Sequence, residues 1–498
     1  MKNKECIVIG SGLGGLSCGV MLALNGFQVT ILEQHFQIGG CLQCFTRKGA
    51  KFETGMHFIG SAAQGQTLDK LMRYLRLEDI ELNQLDSNAY DIVSLAGEEF
   101  RFANGREAFI EQMGGYFPKE KENLIKYFNI IEQVSQASAL HSLRYAENDV
   151  MVNTYYQTVS INEVLDNLFQ DELLKNVLVG NLPLYSAEKD KTPFSQHAFI
   201  MDFYNQSAFR VVGGSDAIAK SLAKTIKENG GNIRLRSKVT KIICDETKAI
   251  GVEINGSEFL KADLIIAAIH PTRVMEMLDT KLIRPALKNR LSILKNTTAG
   301  FSVYLKFKES MVPYLNSNYY SFRDKTPWGC ENYTSSNWPL GYLYMHFCDE
   351  PHQKFASSGV LLSYMNMADV EKWKGTIIGK RGDDYERFKR EKAERLLEEV
   401  EKNFPGFKDS LDCYYTSTPL SYQDYTGTQD GSMYGVAKDI TLGAACRVPH
   451  KTKIPNLFLT GQNINSHGML GVLVGSIVTC SELLTSEHIY QQIIEVNK

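Results

Sequence analysis

Short apolar runs alternate with glycine-rich stretches over the first forty residues. An apolar strand pattern at residues 6–9 leads directly into residues 10–15, which read Gly-Ser-Gly-Leu-Gly-Gly. Small and apolar residues continue to the Asn25-Gly26 pair, which predicts a buried helix that ends there. A second apolar run over residues 28–32 ends on Glu33. The pattern predicts strand, glycine turn, helix, strand and acidic residue, in that order.

This order is the fingerprint of a dinucleotide-binding βαβ unit. Gly10 permits the tight turn, Gly12 lets the backbone approach a pyrophosphate, and Gly15 lets helix and strand pack closely. The helix N-terminus presents unpaired N–H groups and the positive end of its dipole to the phosphates. Glu33 is placed to accept hydrogen bonds from the adenosine ribose. The sequence therefore predicts a bound dinucleotide.

Hydrophobic periodicity predicts both helices and strands in the rest of the chain. Apolar residues recur every fourth position at Ile218, Leu222 and Ile226, which predicts a helix that begins after Ser215, a candidate N-cap. Residues 86–204 are mostly helical in pattern. Strands are predicted elsewhere, at residues 232–235, 239–243, 251–254, 262–268, 300–307, 342–347, 359–365 and 456–460, with a charged amphipathic helix at 383–403.

Four further motifs carry a resemblance to a known family. They are the Gly39-Gly40 turn, the Phe-Glu-Thr-Gly-Met-His segment at 52–57, the Val-Val-Gly-Gly-Ser segment at 211–215, and the Leu-Phe-Leu-Thr-Gly-Gln segment at 457–462 with its following Gly-Met-Leu-Gly at 468–471. Their order and spacing resemble the flavoprotein superfamily that contains amine oxidases, phytoene desaturases and Rab GDP-dissociation inhibitors. The resemblance covers the whole chain and implies FAD rather than NAD.

The resemblance also implies a fold and a division into domains. We expect an α/β protein with a Rossmann-like FAD-binding domain of the glutathione reductase type and an inserted α+β substrate domain. The FAD-binding domain would be discontinuous, formed by residues 1–85, 205–295 and 440–498. Residues 86–204 and 296–439 would form the substrate domain. A substrate cavity is expected where the two domains meet, because ligand sites favour domain interfaces.

A set of cofactor-binding residues follows from these motifs. The last helix of this fold points its N-terminus at the flavin, where its N–H groups stabilise negative charge on the reduced ring. In the family, the segment at 237–239 brings backbone groups to the adenine, and Glu53 is expected beside the flavin as a cofactor or backbone ligand. The predicted FAD-binding residues are Gly10, Ser11, Gly12, Leu13, Gly14, Gly15, Glu33, Gln34, Gly39, Gly40, Cys41, Val239, Gly461, Gln462, Gly468, Met469, Leu470 and Gly471.

Within the superfamily, the Thr-Gly-Gln motif with its following Gly-x-x-Gly looks most like the carotenoid isomerase and retinol saturase branch. That likeness implies reduction or isomerisation of a carbon–carbon double bond in a hydrophobic isoprenoid or polyene. Carotenoid desaturation and amine oxidation are the alternatives within the superfamily. A non-enzymatic prenyl-binding protein is a further alternative, although the chain keeps the glycines that bind the pyrophosphate.

Two histidines and two cysteines are candidates for chemistry beside the flavin. A proton must accompany hydride transfer to an alkene, and a histidine that titrates near neutrality can donate it. His467 and His57 both lie on segments expected near the flavin, and we rank His467 first. Cys41 and Cys44 are either a redox-active pair or two small residues packed beside the cofactor. No metal site is expected, because no second Cys/His pair has the required spacing.

The electron donor is not identified by any motif. NAD(P)H is one candidate, but the chain has no second glycine fingerprint to hold it. A protein or a quinone is the other candidate. The direction of the reaction, whether saturation, desaturation or isomerisation, also stays open at this point.

Composition adds a prediction of location. The 498-residue chain has a net charge of -3, so nucleic-acid binding is not expected. Its hydrophobic share is 43%, and no apolar run is long enough to predict a membrane span. The first strand begins too early to leave room for a signal peptide, and with no sign of export the ten cysteines are read as reduced thiols. We expect a cytoplasmic protein. A basic amphipathic segment at 281–295 makes peripheral membrane contact a further prediction.

Overall fold

The structure is a computed structural model that describes residues 4–138, 143, 150–350 and 353–498. Its strands, in chain order, are β1 (Glu5–Ile9), β2 (Gln28–Leu32), β3 (Cys44–Arg47), β4 (Ala50–Glu53), β5 (Ile59–Gly60), β6 (Leu82–Gln84), β7 (Asp91–Leu95), β8 (Glu98–Phe102), β9 (Ala208–Val211), β10 (Asn232–Arg234), β11 (Val239–Cys244), β12 (Ala249–Ile254), β13 (Glu258–Lys261), β14 (Leu264–Ala267), β15 (Gly300–Phe307), β16 (Asn318–Phe322), β17 (Gly341–Phe347), β18 (Ser358–Tyr364), β19 (Leu411–Ser417) and β20 (Leu457–Leu459).

The α-helices surround these strands. In chain order they are α1 (Leu13–Leu24), α2 (Thr67–Tyr74), α3 (Arg106–Tyr116), α4 (Lys121–Ala137), α5 (Val150–Tyr156), α6 (Ile161–Leu168), α7 (Glu172–Leu178), α8 (Phe194–Gln206), α9 (Asp216–Glu228), α10 (Pro271–Glu276), α11 (Pro285–Ser292), α12 (Asp383–Asn403), α13 (Pro419–Thr426), α14 (Gly468–Leu484) and α15 (Ser486–Val496).

A five-stranded parallel sheet in the order β10-β2-β1-β14-β20 forms the first layer. Its strands come from three separate parts of the chain. One face packs on α1, α9 and α14 through residues such as Val8 and Ile31. The other face, with Ile7 and Ile265, packs on the antiparallel sheet β11-β12-β13. Because both faces are covered, the inner strands β1 and β14 and the edge strand β20 are almost entirely apolar rather than alternating, as parallel strands usually are.

A seven-stranded mixed sheet in the order β19-β15-β18-β17-β16-β7-β8 forms the second body of the protein. Side chains alternate between its two faces, as the pleat requires. Tyr304 and Tyr320 face a core shared with the helices of residues 106–206. Val303 and Tyr319 face the opposite core, which α12 covers. This second body therefore has a hydrophobic core on each face of its sheet.

Two local predictions were wrong, and a third is confirmed only in position. Residues 91–102, expected within a mostly helical block, form the hairpin β7–β8. All of β7 is buried, so its sequence shows no alternation that would mark a strand. Ser215 is the N-cap residue of α9, as predicted, but its hydroxyl donates to the Leu42 carbonyl at 3.2 Å and makes no capping hydrogen bond. In the basic segment 281–295 the helix covers only Pro285–Ser292.

The apolar side of the basic segment packs on its own domain. Leu291 and Ile283 are buried in the core beneath β11 and β12, and Leu287 lies partly buried against that core. Ile293, by contrast, is 78% exposed. Among the described residues, no helix is both long enough and apolar enough to cross a membrane.

Candidate cofactor site and its surroundings

In the glycine turn after β1, Gly14 and Gly15 pack so closely against neighbouring backbone that a side chain would not fit. A Cβ on Gly15 would lie 2.1 Å from the Gly10 carbonyl oxygen, and one on Gly14 would lie 2.8 Å from Gly461 Cα. Gly10 has a φ of +95°, which residues other than glycine rarely adopt. A Cβ on Gly12, in contrast, would meet nothing within 4 Å. Gly12 therefore borders open space, as a residue that approaches a phosphate must.

Glu33 holds the turn from the end of β2. One carboxylate oxygen accepts hydrogen bonds from Ser11 N at 3.0 Å and from Ser11 Oγ at 2.6 Å. The other accepts from His35 N at 2.8 Å. The carboxylate is thus fixed at the carboxyl edge of the parallel sheet, where ligands of this kind of fold bind. Its remaining lone pairs are available to ribose hydroxyls.

A cavity of about 720 Å³ begins at this turn. It is lined by the adenine-side segment at 237–240, by the Gly39-Gly40 turn and by the turn before α14. The predicted cofactor residues that line it are Gly10, Ser11, Gly12, Leu13, Gly14, Glu33, Gln34, Gly39, Gly40, Cys41, Val239, Gly461, Gln462, Gly468 and Met469. Gly15 instead serves helix packing, and Leu470 and Gly471 line a neighbouring cavity.

Several lining residues had no sequence motif to indicate them. Residues 423–428, at the end of α13, border the cavity from the second body of the protein. Tyr434 borders it from the same side, whereas Asn463 borders it from the turn that precedes α14. Tyr434 lies between Gly431 and Gly435, a spacing of glycines that could have drawn attention to this segment. The cavity is therefore enclosed by both bodies of the chain.

His467 occupies the end of the turn that precedes α14. Its ring lies 4.5 Å, centroid to centroid, from the ring of Tyr434, and its Nε2 is buried without a hydrogen-bond partner. Burial, helped by the charge of Lys438, lowers the pKa of His467 to about 4. The expectation that this histidine titrates near neutrality is wrong for this reason. At pH 7 its imidazole is neutral.

His57 lies against Glu53. Its Nδ1 is 3.4 Å from Glu53 Oε2, while Glu53 Oε1 accepts a hydrogen bond from Ser215 N at 2.9 Å. The carboxylate of Glu53 thus binds the backbone at the start of α9. The carbonyl oxygen of His57 accepts a hydrogen bond from Arg210 Nη1 at 3.2 Å. Among the described residues, Gly55 and Met56 of this segment line the large cavity, and His57 stands behind them.

Cys41 and Cys44 are both free thiols in this structure. Cys41 lines the large cavity, and Cys44 Sγ lies 3.5 Å from Ser215 Oγ. Burial raises the pKa of Cys41 to about 11. Burial and then Glu53 raise the pKa of Cys44 to about 12. The thiolate forms that a redox pair needs are therefore disfavoured at neutral pH.

A second, smaller cavity of about 30 Å³ lies on the other side of the His467 turn. One wall is the face of α8 that carries Phe199, Ile200 and Phe203. The opposite wall includes His467 and Gly468, and Gly468 also lines the large cavity. An apolar space thus borders the turn that meets the cofactor cavity.

In the described part of the chain, no group of three or more His, Cys, Asp or Glu residues could hold a metal ion.

Known proteins resemble this chain over nearly its whole length. The profile of the family described as flavin containing amine oxidoreductase matches residues 13–479. The all-trans-retinol 13,14-reductase of Homo sapiens is 28% identical over an alignment that covers 99% of this chain and 87% of that protein. The chloroplastic prolycopene isomerase 1 of an Oncidium hybrid cultivar is 22% identical, with coverage of 96% and 83%.

A solved structure shows the same fold. The cyclohexylamine oxidase of Brevibacterium oxydans IH-35A superposes with a TM-score of 0.61 at 14% sequence identity, and the match covers 100% of both chains. At this identity the likeness concerns the fold alone. The predicted fold class, an α/β flavoprotein fold of the amine oxidase type, is confirmed.

Proposed function

Because the chain belongs to the flavin containing amine oxidoreductase family, we propose that it is an FAD-dependent oxidoreductase that reduces or isomerises a carbon–carbon double bond of a hydrophobic isoprenoid or polyene. The end-to-end similarity to a retinol reductase and a prolycopene isomerase carries this proposal. Both names denote chemistry on the double bonds of a polyene. The fold alone would not separate this function from amine oxidation.

The residues of the large cavity fit FAD. Gly12 leaves open space for a pyrophosphate at the N-terminus of α1, and Glu33 presents a carboxylate for the ribose. Gly468 and Met469, the first two residues of α14, line the same cavity, so the N-terminus of this helix lies at its wall. When bound, FAD supplies the hydride of the reaction. The protein supplies binding, orientation and electrostatic support.

His467 is the first candidate for the proton-transfer residue, ahead of His57. At a pKa of about 4, roughly one imidazole in a thousand carries a second proton at pH 7. The neutral ring carries a single N–H, so it can donate one hydrogen bond and relay one proton while it accepts another. Its unpartnered Nε2 is the atom that is free for this role. His57 has Glu53 as a neighbour and does not line the large cavity.

One side of the smaller cavity beside His467 is apolar. Phe199, Ile200 and Phe203 lie on the face of α8 there, and Tyr204 and Met469 extend this lining. Its volume of about 30 Å³ is far below the roughly 300–1,000 Å³ of ordinary ligand pockets, so a long hydrocarbon could enter only if α8 and the His467 turn moved apart. We propose this side of the His467 turn as the approach for the substrate, with that opening as its requirement.

One experiment tests the function and its direction. The FAD-loaded enzyme is reduced without oxygen and incubated separately with retinoids, carotenoids and polyprenyl lipids, and products are followed by mass. Saturation adds the mass of two hydrogen atoms, and isomerisation changes retention and absorbance at constant mass. Desaturation of a substrate by the oxidised enzyme would favour a carotenoid desaturase. Failure of every polyene would contradict the proposal.

Amine oxidation and non-enzymatic lipid binding have simple tests of their own. Turnover of primary amines with release of peroxide would favour an amine oxidase, the activity named by the structural relative. A purified protein that binds prenyl lipids but shows no flavin absorbance after reconstitution would favour a non-enzymatic binding protein. Reduction of the bound flavin by NADH or NADPH under anaerobic conditions would identify the electron donor. Flotation with vesicles would test the proposed peripheral contact with membranes.

A further inference from the structure

Residues 434–438 run beside the turn of residues 461–467 and brace it. The ring of Tyr434 lies against the ring of His467 at one end of the turn. Val436 N donates a hydrogen bond to Asn463 Oδ1 at 3.1 Å. The brace is itself tied to the segment that leads into β15, because Thr297 N donates to the Gly435 carbonyl at 2.8 Å. The turn that meets the cofactor cavity is therefore held from the second body of the protein.

Lys438, the last residue of this brace, carries an ammonium group. Its Nζ donates to the carbonyl oxygens of Asn463 at 3.4 Å and Ile464 at 3.2 Å. Asn463 lines the large cavity, whereas Lys438 stands behind it. The two carbonyl dipoles favour a cation at this position. Lys438 therefore acts on the cavity through the turn and not by direct contact.

No carboxylate neutralises this cation within the described residues, where Lys438 forms no ion pair. The adjacent Asp439 is engaged elsewhere, since its Oδ1 accepts hydrogen bonds from Thr441 N at 2.8 Å and Thr441 Oγ1 at 2.6 Å. Burial lowers the pKa of Lys438 to about 8, Cys446 opposes this shift, and Arg447 adds to it. His450 and His467 also face the ammonium group, and its charge helps to keep both neutral.

A cation without a counter-ion beside a cofactor cavity would stabilise a cofactor that gains negative charge when it is reduced. Reduction of a flavin places negative charge at the pyrimidine end of the ring, and fixed positive charge nearby stabilises it. In this fold the N-terminus of the last helix contributes partial charge to that end. Lys438 would add a whole charge to the same region, where low dielectric makes it effective.

We infer that Lys438 is a positioning residue that holds a positive charge behind the cofactor turn and thereby makes the bound flavin easier to reduce. The inference rests on the proposed binding of FAD. It concerns electrostatics transmitted through the Asn463 and Ile464 carbonyls. Protonated Lys438 supplies this support, and deprotonated Lys438 does not.

The test compares reduction potentials of FAD-loaded parent, Lys438→Met and Lys438→Arg proteins, equilibrated with a reference dye at pH 6.5 and pH 9.5. At pH 6.5 we expect Lys438→Met to reduce the equilibrium constant for reduction about tenfold, which is about 30 mV for a two-electron couple. Lys438→Arg should stay within about threefold of the parent. At pH 9.5 the parent and Lys438→Met should converge, because Lys438 has lost its proton. The exposed Lys453 provides the matched control, Lys453→Met.

The outcomes separate this inference from the proposed function. A parent protein that binds no flavin would overturn both. A parent that binds flavin, with Lys438→Met at the parent potential at both pH values, would overturn the inference alone. Equal effects of Lys438→Met and Lys453→Met at pH 6.5 would also overturn it. If Lys438→Met does not fold, Lys438→Gln takes its place, and a potential equal to that of Lys438→Arg would refute the inference.

Discussion

Asp91 gives a prediction that links burial to pH. Its carboxyl is fully buried at the start of β7. Oδ1 accepts a hydrogen bond from Asn318 Nδ2 at 2.8 Å, and Oδ2 lies 3.5 Å from Asn181 Nδ2. Burial outweighs these two contacts and the charge of Arg210, and it raises the pKa of Asp91 from the ordinary 3.8 to about 7. We expect Asp91→Asn to change the pH dependence of stability.

The sign follows from which state binds the proton more tightly. With its pKa raised by folding, Asp91 contributes stability that is fully present below its ordinary pKa and is lost as the pH rises through about 7. The rise of the Asp91 pKa from 3.8 to about 7 corresponds to ~4 kcal/mol of stability, since a tenfold change in proton affinity is worth about 1.36 kcal/mol. About 3 kcal/mol of this falls between pH 5 and pH 8. Asparagine is neutral throughout and keeps an acceptor for Asn318, so the variant lacks this loss.

Urea unfolding of the FAD-loaded proteins at pH 5, 6, 7 and 8 measures the effect. The free energy of unfolding of the parent should fall by about 3 kcal/mol relative to Asp91→Asn over this range. Asp324→Asn, at an exposed carboxyl beyond β16, serves as the control and should track the parent. If the difference between parent and Asp91→Asn changes by less than about 1 kcal/mol, the carboxylate is ionised in the fold and our reasoning fails.

Three further substitutions test the site. Glu33→Ala removes the acceptor of Ser11 and His35 and should weaken FAD binding roughly ten- to a hundredfold, because hydrogen bonds to charged groups contribute about 1.5–3 kcal/mol; a stable variant that retains FAD like the parent would contradict this. His467→Ala should keep its flavin absorbance and flavin reduction but slow the substrate half-reaction by on the order of a hundredfold, and reoxidation by substrate at the parent rate would remove His467 from the mechanism. Cys44→Ser should keep full turnover, since burial disfavours its thiolate; loss of activity with the fold intact would instead support a redox pair with Cys41.

Sequence reasoning succeeded where the determinants are local. The glycine turn and Glu33 are specified by neighbours within one βαβ unit. The helix at 383–403 also has the bounds predicted from its periodicity. The hairpin at 91–102 was missed because β7 is buried on both faces, which removes the alternation that marks a strand. The basic helix was overestimated because Pro285 fixes its first turn.

The surroundings of the cofactor cavity could not be predicted in this way. Tyr434 and Lys438 reach the turn before α14 only after the chain has crossed the seven-stranded sheet, so no local pattern marks them. The low pKa of His467 depends on the same contact with Lys438 and on burial. Such properties arise from residues brought together by the tertiary fold. The motifs indicated which turn meets the cofactor, but not what lies behind it.

The strand order of the parallel sheet determines when this protein can fold during its synthesis. β14 pairs with β1 on one side and with β20 on the other, yet β20 is made 190 residues after β14 ends. At 5–20 residues per second a ribosome needs roughly 10 to 40 s to cover that distance. Throughout that interval the edge of β14 is unpaired, and the Gly461 turn that borders the cofactor cavity does not yet exist. A cofactor bound at this turn can therefore complete its contacts only when translation is nearly finished.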